Sequence, residues 1–113
     1  MALTFLQYTA CALTIAVGAY SLLAPLSAAN FTGLTPQGGR GITEIRAILG
    51  MVFVALGAYP LLFPVEAAFH MLGFTYLLIG AARTVSIFLD KSSTQSNWIS
   101  AASEFVLGTI LIL

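Results

Sequence analysis

Residues 66–89 read EAAFHMLGFTYLLIGAARTVSIFL, and between Glu66 and Asp90 the single charged side chain is Arg83. A helix of about 20 apolar residues crosses a hydrocarbon layer about 30 Å thick, so this stretch predicts a membrane span over 66–89. An arginine near the middle of a span costs about 2.5–3.5 kcal/mol on insertion scales. Arg83 therefore needs a partner, and that partner must come from elsewhere in the chain.

Upstream, Phe63-Pro64-Val65 is too short a link to allow anything but an antiparallel hairpin with the preceding apolar stretch, 42–59. That stretch is expected to stop at Pro60 and Pro64, because proline lacks the N–H and crowds the preceding turn. The first stretch, 2–23, has no charge at all and ends before Pro25. Residues 25–41 read as a loop closed by Thr35-Pro36-Gln37-Gly38-Gly39-Arg40-Gly41. Downstream, the polar run Asp90 to Asn97 predicts a turn, with Ser96 or Asn97 capping a last helix over 98–113. The expected architecture is all-α, a single domain over 1–113 with four transmembrane helices in a compact antiparallel bundle. No Lys or Arg precedes Arg40, so the first stretch lacks the basic head of a signal peptide. Tyr8-Thr9-Ala10-Cys11 is only loosely like a lipoprotein cleavage site, and retention of the first helix is expected.

Composition agrees. Of 113 residues, 59% are hydrophobic and 7% charged, with four Lys/Arg against four Asp/Glu and no net charge; mean hydropathy is +1.00. A soluble domain carries about 25% charged residues, so this chain cannot cover itself with polar surface. There is no basic patch for nucleic acid, and one cysteine allows no internal disulfide. Arg40, Arg46, Arg83 and Lys91 lie in or nearest the first and third loops. The positive-inside rule places those loops in the cytoplasm, in a bacterial inner membrane, with both termini outside.

Apart from Glu66 at a helix end and a histidine near the opposite face, four ionisable residues of the Asp, Glu, Lys and Arg types fall within the expected spans: Glu44, Arg46, Arg83 and Glu104. Arg83 precedes Asp90 by seven residues and Glu104 follows Asn97 by seven, so each lies about 10 Å below the same membrane face. Glu44 and Arg46 enter from that face too. Two acids and two bases in one half of the bilayer form the expected buried network, with Arg83 paired to Glu104 and Arg46 or Arg83 to Glu44. Small residues share their faces. Arg46, Gly50 and Gly57 form one stripe, Tyr76, Gly80, Arg83 and Asp90 another, and Ala101, Glu104 and Gly108 a third. Gln7, Cys11, Thr14 and Gly18 give the first helix a mildly polar face. Arg40, Asp90 and Tyr76 are supporting members of this candidate pocket.

Other residues carry less chemistry. A lone His70 near the opposite face supplies neither paired haem ligands nor a zinc site, so no metal is expected. Cys11 reads as a small core residue. Trp98 and the tyrosines at helix ends suit the membrane interface. Gly38-Gly39-Arg40-Gly41 lacks the lysine and hydroxyl of a phosphate loop. Gly18-Ala19-Tyr20-Ser21-Leu22-Leu23-Ala24-Pro25 is echoed by Gly57-Ala58-Tyr59-Pro60-Leu61-Leu62-Phe63-Pro64. An inverted repeat would give this echo, and so would an interfacial tyrosine followed by a helix-stopping proline, the preferred reading.

Phe31-Thr32-Gly33-Leu34, Arg40-Gly41 and Glu44-Ile45-Arg46-Ala47 followed by Gly50, together with Arg83 and Glu104, resemble a family of small bacterial four-helix membrane proteins of unknown function. That family is itself distantly DoxX-like. The resemblance covers nearly the whole chain and implies the fold and the importance of Glu44, Arg46, Arg83 and Glu104, with no assigned reaction. DoxX-like proteins include subunits of quinone-linked oxidoreductase complexes, which implies an accessory-subunit role. The expected function is thus a non-catalytic integral membrane protein, a subunit or scaffold of a membrane assembly or a self-associating bundle, among membrane lipids. The alternative is a small transporter, or a lipid- or quinone-binding protein using the buried carboxylates. An enzyme has the least support, since no nucleophile–base pair is readable.

Overall fold

The computed structural model describes residues 1–113 and is helical nearly throughout. Five helices follow one another: α1 (Ala2–Leu23), α2 (Pro25–Thr32), α3 (Gly38–Leu62), α4 (Glu66–Leu89) and α5 (Gln95–Ile112). Three of them, α1, α3 and α4, are long and apolar enough to cross a membrane. This corrects the expected count of four helices at both ends. The first loop contains a helix of its own, because Pro25 sits at its first position, where a missing N–H costs nothing. α2 ends at Gly33, whose φ of 79° supplies the left-handed residue that closes a helix. At the other end of the chain, α5 has 18 residues, but its first turns carry Gln95, Ser96, Asn97, Ser100 and Ser103, and Glu104 follows.

α3 runs beyond both expected limits. It begins at Gly38, and it continues through Pro60 to Leu62. Pro60 is fully buried. Proline inside a membrane helix loses one backbone bond, which neighbouring helices and local adjustment make tolerable. Near its start α3 is not α-helical: over Ile45–Met51 the turns widen to π geometry, and the N–H of Val52 bonds the carbonyl of Ala47 five residues back. Such a widened turn inserts an extra residue into a helix without ending it.

The chain divides into two units. One comprises residues 11–63, the other residues 1–10 with 64–113, so the division falls within α1. In the first unit α1 and α3 pack antiparallel through glycine. A Cβ on Gly18 would lie 2.6 Å from the Gly50 carbonyl oxygen and 2.7 Å from the Val54 nitrogen; one on Gly57 would lie 2.7 Å from the Cys11 carbonyl; one on Gly50 would meet the backbone of Leu22 at 3.0 Å. Membrane helices lack a hydrophobic drive to associate and rely on such close backbone approach. The two echoing Gly-Ala-Tyr segments thus each supply a glycine, Gly18 and Gly57, to the same helix pair. Cys11 and Thr14 on α1 are fully buried.

In the second unit α4 and α5 pack antiparallel, again through glycine: a Cβ on Gly73 would lie 2.9 Å from the Gly108 carbonyl oxygen, and one on Gly108 would lie 3.0 Å from that of Gly73. Leu72, Ile87 and Leu111 are the large side chains fully buried in this unit. Tyr8 stacks on Phe69 with ring centroids 5.7 Å apart.

Candidate functional site

Arg83, on α4, and Glu104, on α5, meet. The guanidinium Nε–H is shared between the two carboxylate oxygens of Glu104, at 2.8 and 3.1 Å, and Nη2 donates to Oε2 at 2.8 Å. The Glu104 side chain is 11% exposed and that of Arg83 34%. This forked geometry suits guanidinium and carboxylate, both planar, and gives stronger bonds than neutral pairs. The antiparallel register of α4 and α5 produces it, since the Gly73–Gly108 contact on the same helix faces draws the backbones together.

A third residue completes the group. Nη1 of Arg83 donates to Oδ1 of Asn97 at 3.0 Å. The Asn97 amide nitrogen in turn donates to the carbonyl and hydroxyl oxygens of Ser92, at 3.0 and 3.2 Å, which settles which way the amide faces. Sequence reasoning assigns Asn97 no more than a possible capping role. The cap is Thr94 instead: its hydroxyl accepts from the backbone N–H of Asn97, and α5 accordingly starts at Gln95. The signal that could have found Asn97 is spacing. It precedes Ala101 by four residues and Glu104 by seven, which places all three on one helix face.

Beside this group lies a cleft of about 380 Å³, lined by Ile79, Ala82, Arg83, Ser86 and Asn97. Its walls combine the hydrocarbon of Ile79 and Ala82 with the polar edge of Arg83, Ser86 and Asn97. Tyr76 is buried on the same α4 face, one and two turns before Gly80 and Arg83. Asp90 is exposed at the end of α4 and accepts from the Ser86 hydroxyl at 2.5 Å.

Glu44 and Arg46 belong to the other unit, and both are exposed. This corrects the expectation that they are buried. Glu44 pairs with Arg40 one turn earlier, because residues four apart share a helix face, whereas Glu44 and Arg46, two apart, do not. Arg46 donates from Nη1 to the carbonyl of Leu22 at 2.6 Å. That carbonyl belongs to the last turn of α1, where Pro25 interrupts the backbone pattern, and a cation there also meets the negative end of the helix dipole. His70 lies 3.7 Å from Glu66 on its own helix. No group of three His, Cys, Asp or Glu is placed to hold a metal.

The chain belongs to the family defined by a domain of unknown function (DUF4345), whose model matches residues 2–113. No curated protein and no solved structure matches it.

Proposed function

We propose that this chain is an integral membrane protein without catalytic machinery of its own, serving as a subunit or scaffold of a larger membrane assembly. The observation that carries this reading is how its internal charges are used. Arg83 is held by Glu104 across α4 and α5, Arg46 by the Leu22 carbonyl across α3 and α1, and Glu44 by Arg40 within α3, so the two interhelical contacts of these charges serve to hold helix pairs in register. An ion pair as enclosed as Arg83–Glu104 is best attested as a device of specificity. The outward row Met71, Phe74, Leu78 and Val85 on α4 offers acyl chains or a neighbouring subunit a purely apolar surface.

The proposal extends to topology. α5 packs along α4 through Gly73 and Gly108, and its 18 residues span about 27 Å at the helical rise, so it serves as the fourth crossing. With four crossings, Arg40 and Lys91 put the first and third loops in the cytoplasm of a bacterial inner membrane, both termini outside. The likeness to DoxX-like proteins, and with it an accessory role beside a redox partner, is part of the same proposal. Purification from native membranes in mild detergent tests it: a co-purifying membrane subunit or a defined oligomer is expected, and a monodisperse monomer with no companion overturns it.

One observation favours a second reading, in which the chain binds a lipid or a quinone. The cleft beside Arg83 is large enough for part of an amphiphile and has both an apolar wall and a polar edge.

A further inference from the structure

Resting on the reading of that cleft as a ligand site, we infer that it selects an amphiphile presenting an uncharged carbonyl oxygen, and selects against an anionic headgroup. Two features of Arg83 lead there. Its guanidinium carries five N–H groups. Nε–H and one hydrogen of Nη2 go to Glu104, and one hydrogen of Nη1 goes to Asn97, which leaves one N–H on each terminal nitrogen without a protein acceptor. Arg83 lines the cleft together with Asn97, the acceptor of its Nη1, and its side chain is 34% exposed, so these donors have a site to serve. Donors left idle in hydrocarbon are costly, and a ligand oxygen relieves them.

The charge balance decides which oxygen. Glu104 already neutralises Arg83 at 2.8 Å, so the pair together carries no net charge. A phosphate entering the cleft would restore an uncompensated negative charge about 10 Å along the helix from Asp90, in a region of low dielectric. A carbonyl oxygen accepts both free N–H groups and adds no charge. Ile79 and Ala82 then cover the hydrocarbon next to it. Two sources carry this chemistry, the ester of a diacyl lipid and the ring carbonyl of an isoprenoid quinone.

The test uses the full chain in nanodiscs of a dialkyl ether phosphatidylcholine, which has no net charge and no carbonyl, with bound probe counted by native mass spectrometry. Diacyl phosphatidylcholine, a decyl-substituted benzoquinone and dodecyl phosphate are offered in turn. One hydrogen-bonded acceptor on a charged donor corresponds to roughly tenfold or more in affinity, so one of the two carbonyl probes is expected to be retained about tenfold over the ether lipid. Whichever is retained identifies the source. Ala82→Phe fills the cleft without touching the ion pair and is expected to abolish retention. Glu104→Gln frees the charge on Arg83 and is expected to reverse the preference toward dodecyl phosphate. Wild-type chain that retains dodecyl phosphate best overturns the selectivity while leaving a ligand site. Wild-type chain that retains none of the three overturns the ligand reading itself. Retention unaffected by Ala82→Phe overturns the placement in this cleft.

Discussion

Removing one member of the Arg83–Glu104 pair and removing both are expected to have different consequences. Glu104→Leu leaves the guanidinium beside hydrocarbon with only Asn97 to accept from it, and a stranded partner of this kind costs about 3 kcal/mol. The double variant Arg83→Met with Glu104→Leu fills similar volume with no charge to desolvate. It is expected to lie within about 1 kcal/mol of the parent. Reversible unfolding in mixed micelles measures both, and additive losses would show that the two residues act independently. Asn97→Leu removes one acceptor and is expected to cost about 1 kcal/mol. The sequence makes the Arg83–Glu104 meeting legible because both residues are counted from the same polar turn, 90–97. It leaves Asn97 obscure because a polar residue at a helix start has an ordinary explanation in capping. Glu44 and Arg46 mislead for another reason: apolar neighbours suggest burial, but a one-turn pairing with Arg40 needs none.

At the scale of helices, glycine contacts and end carbonyls do the organising. Gly18→Ala is expected to cost about 2 kcal/mol, since the new methyl would press on backbone atoms of Gly50 and Val54 that cannot rotate away. Gly80→Ala meets only the Phe105 ring and the Glu104 Cβ, at 3.2 Å and beyond, and is expected to cost less than about 1 kcal/mol. Equal losses in thermal unfolding of the two variants would remove the distinction between backbone and side-chain contact. Two helix ends are closed from outside. Arg46 serves the Leu22 carbonyl at the end of α1, and the Gln7 amide donates to the Ile110 carbonyl in the last turn of α5 at 3.1 Å. In hydrocarbon such carbonyls have no water to turn to. Arg46→Met is accordingly expected to destabilise by about 1–2 kcal/mol with partial recovery in Arg46→Lys, and recovery absent from the lysine variant would point away from a charge-assisted bond. These closures are invisible to a local reading, because each joins residues far apart in the chain. So is the π turn at Ile45–Met51, which no residue type announces. Pro60 is read too simply from sequence: the lost bond and the crowding are costs that a buried membrane helix tolerates, and this proline lies buried two residues before the end of α3.

For the molecule as a whole, the decisive quantity is the number of crossings. α1, α3 and α4 have the length and apolar composition of spans; α5 falls short because serines, an asparagine and a glutamate occupy its first half. Asn97 and Glu104 bond Arg83 and Ser96 meets Thr94 of the polar turn, while Ser103 bonds the Ile99 carbonyl of its own helix, so the lower hydropathy of α5 reflects in part what it contacts. A polar helix face satisfied by a neighbouring helix does not meet lipid, and the cost of inserting it is correspondingly lower than composition implies. Four crossings return both ends of the chain to one side, whereas three would separate them. Alkaline phosphatase, active only outside the inner membrane, and a green fluorescent protein that matures only inside, fused in turn to each end, distinguish the two. Phosphatase activity at both ends is expected, with both fluorescent fusions dark. A fluorescent C-terminal fusion beside an active N-terminal phosphatase would place α5 outside the bilayer, and would leave Glu104 reaching Arg83 from the membrane surface. The Arg83→Met fusion sharpens the test: if α5 inserts because its carboxylate is paired, removing the guanidinium leaves Glu104 unpaired and lowers phosphatase activity at the C-terminal end, whereas Arg83→Met with Glu104→Leu restores it, since an apolar residue inserts without a partner. Full activity in the single variant would show that insertion does not depend on the pair.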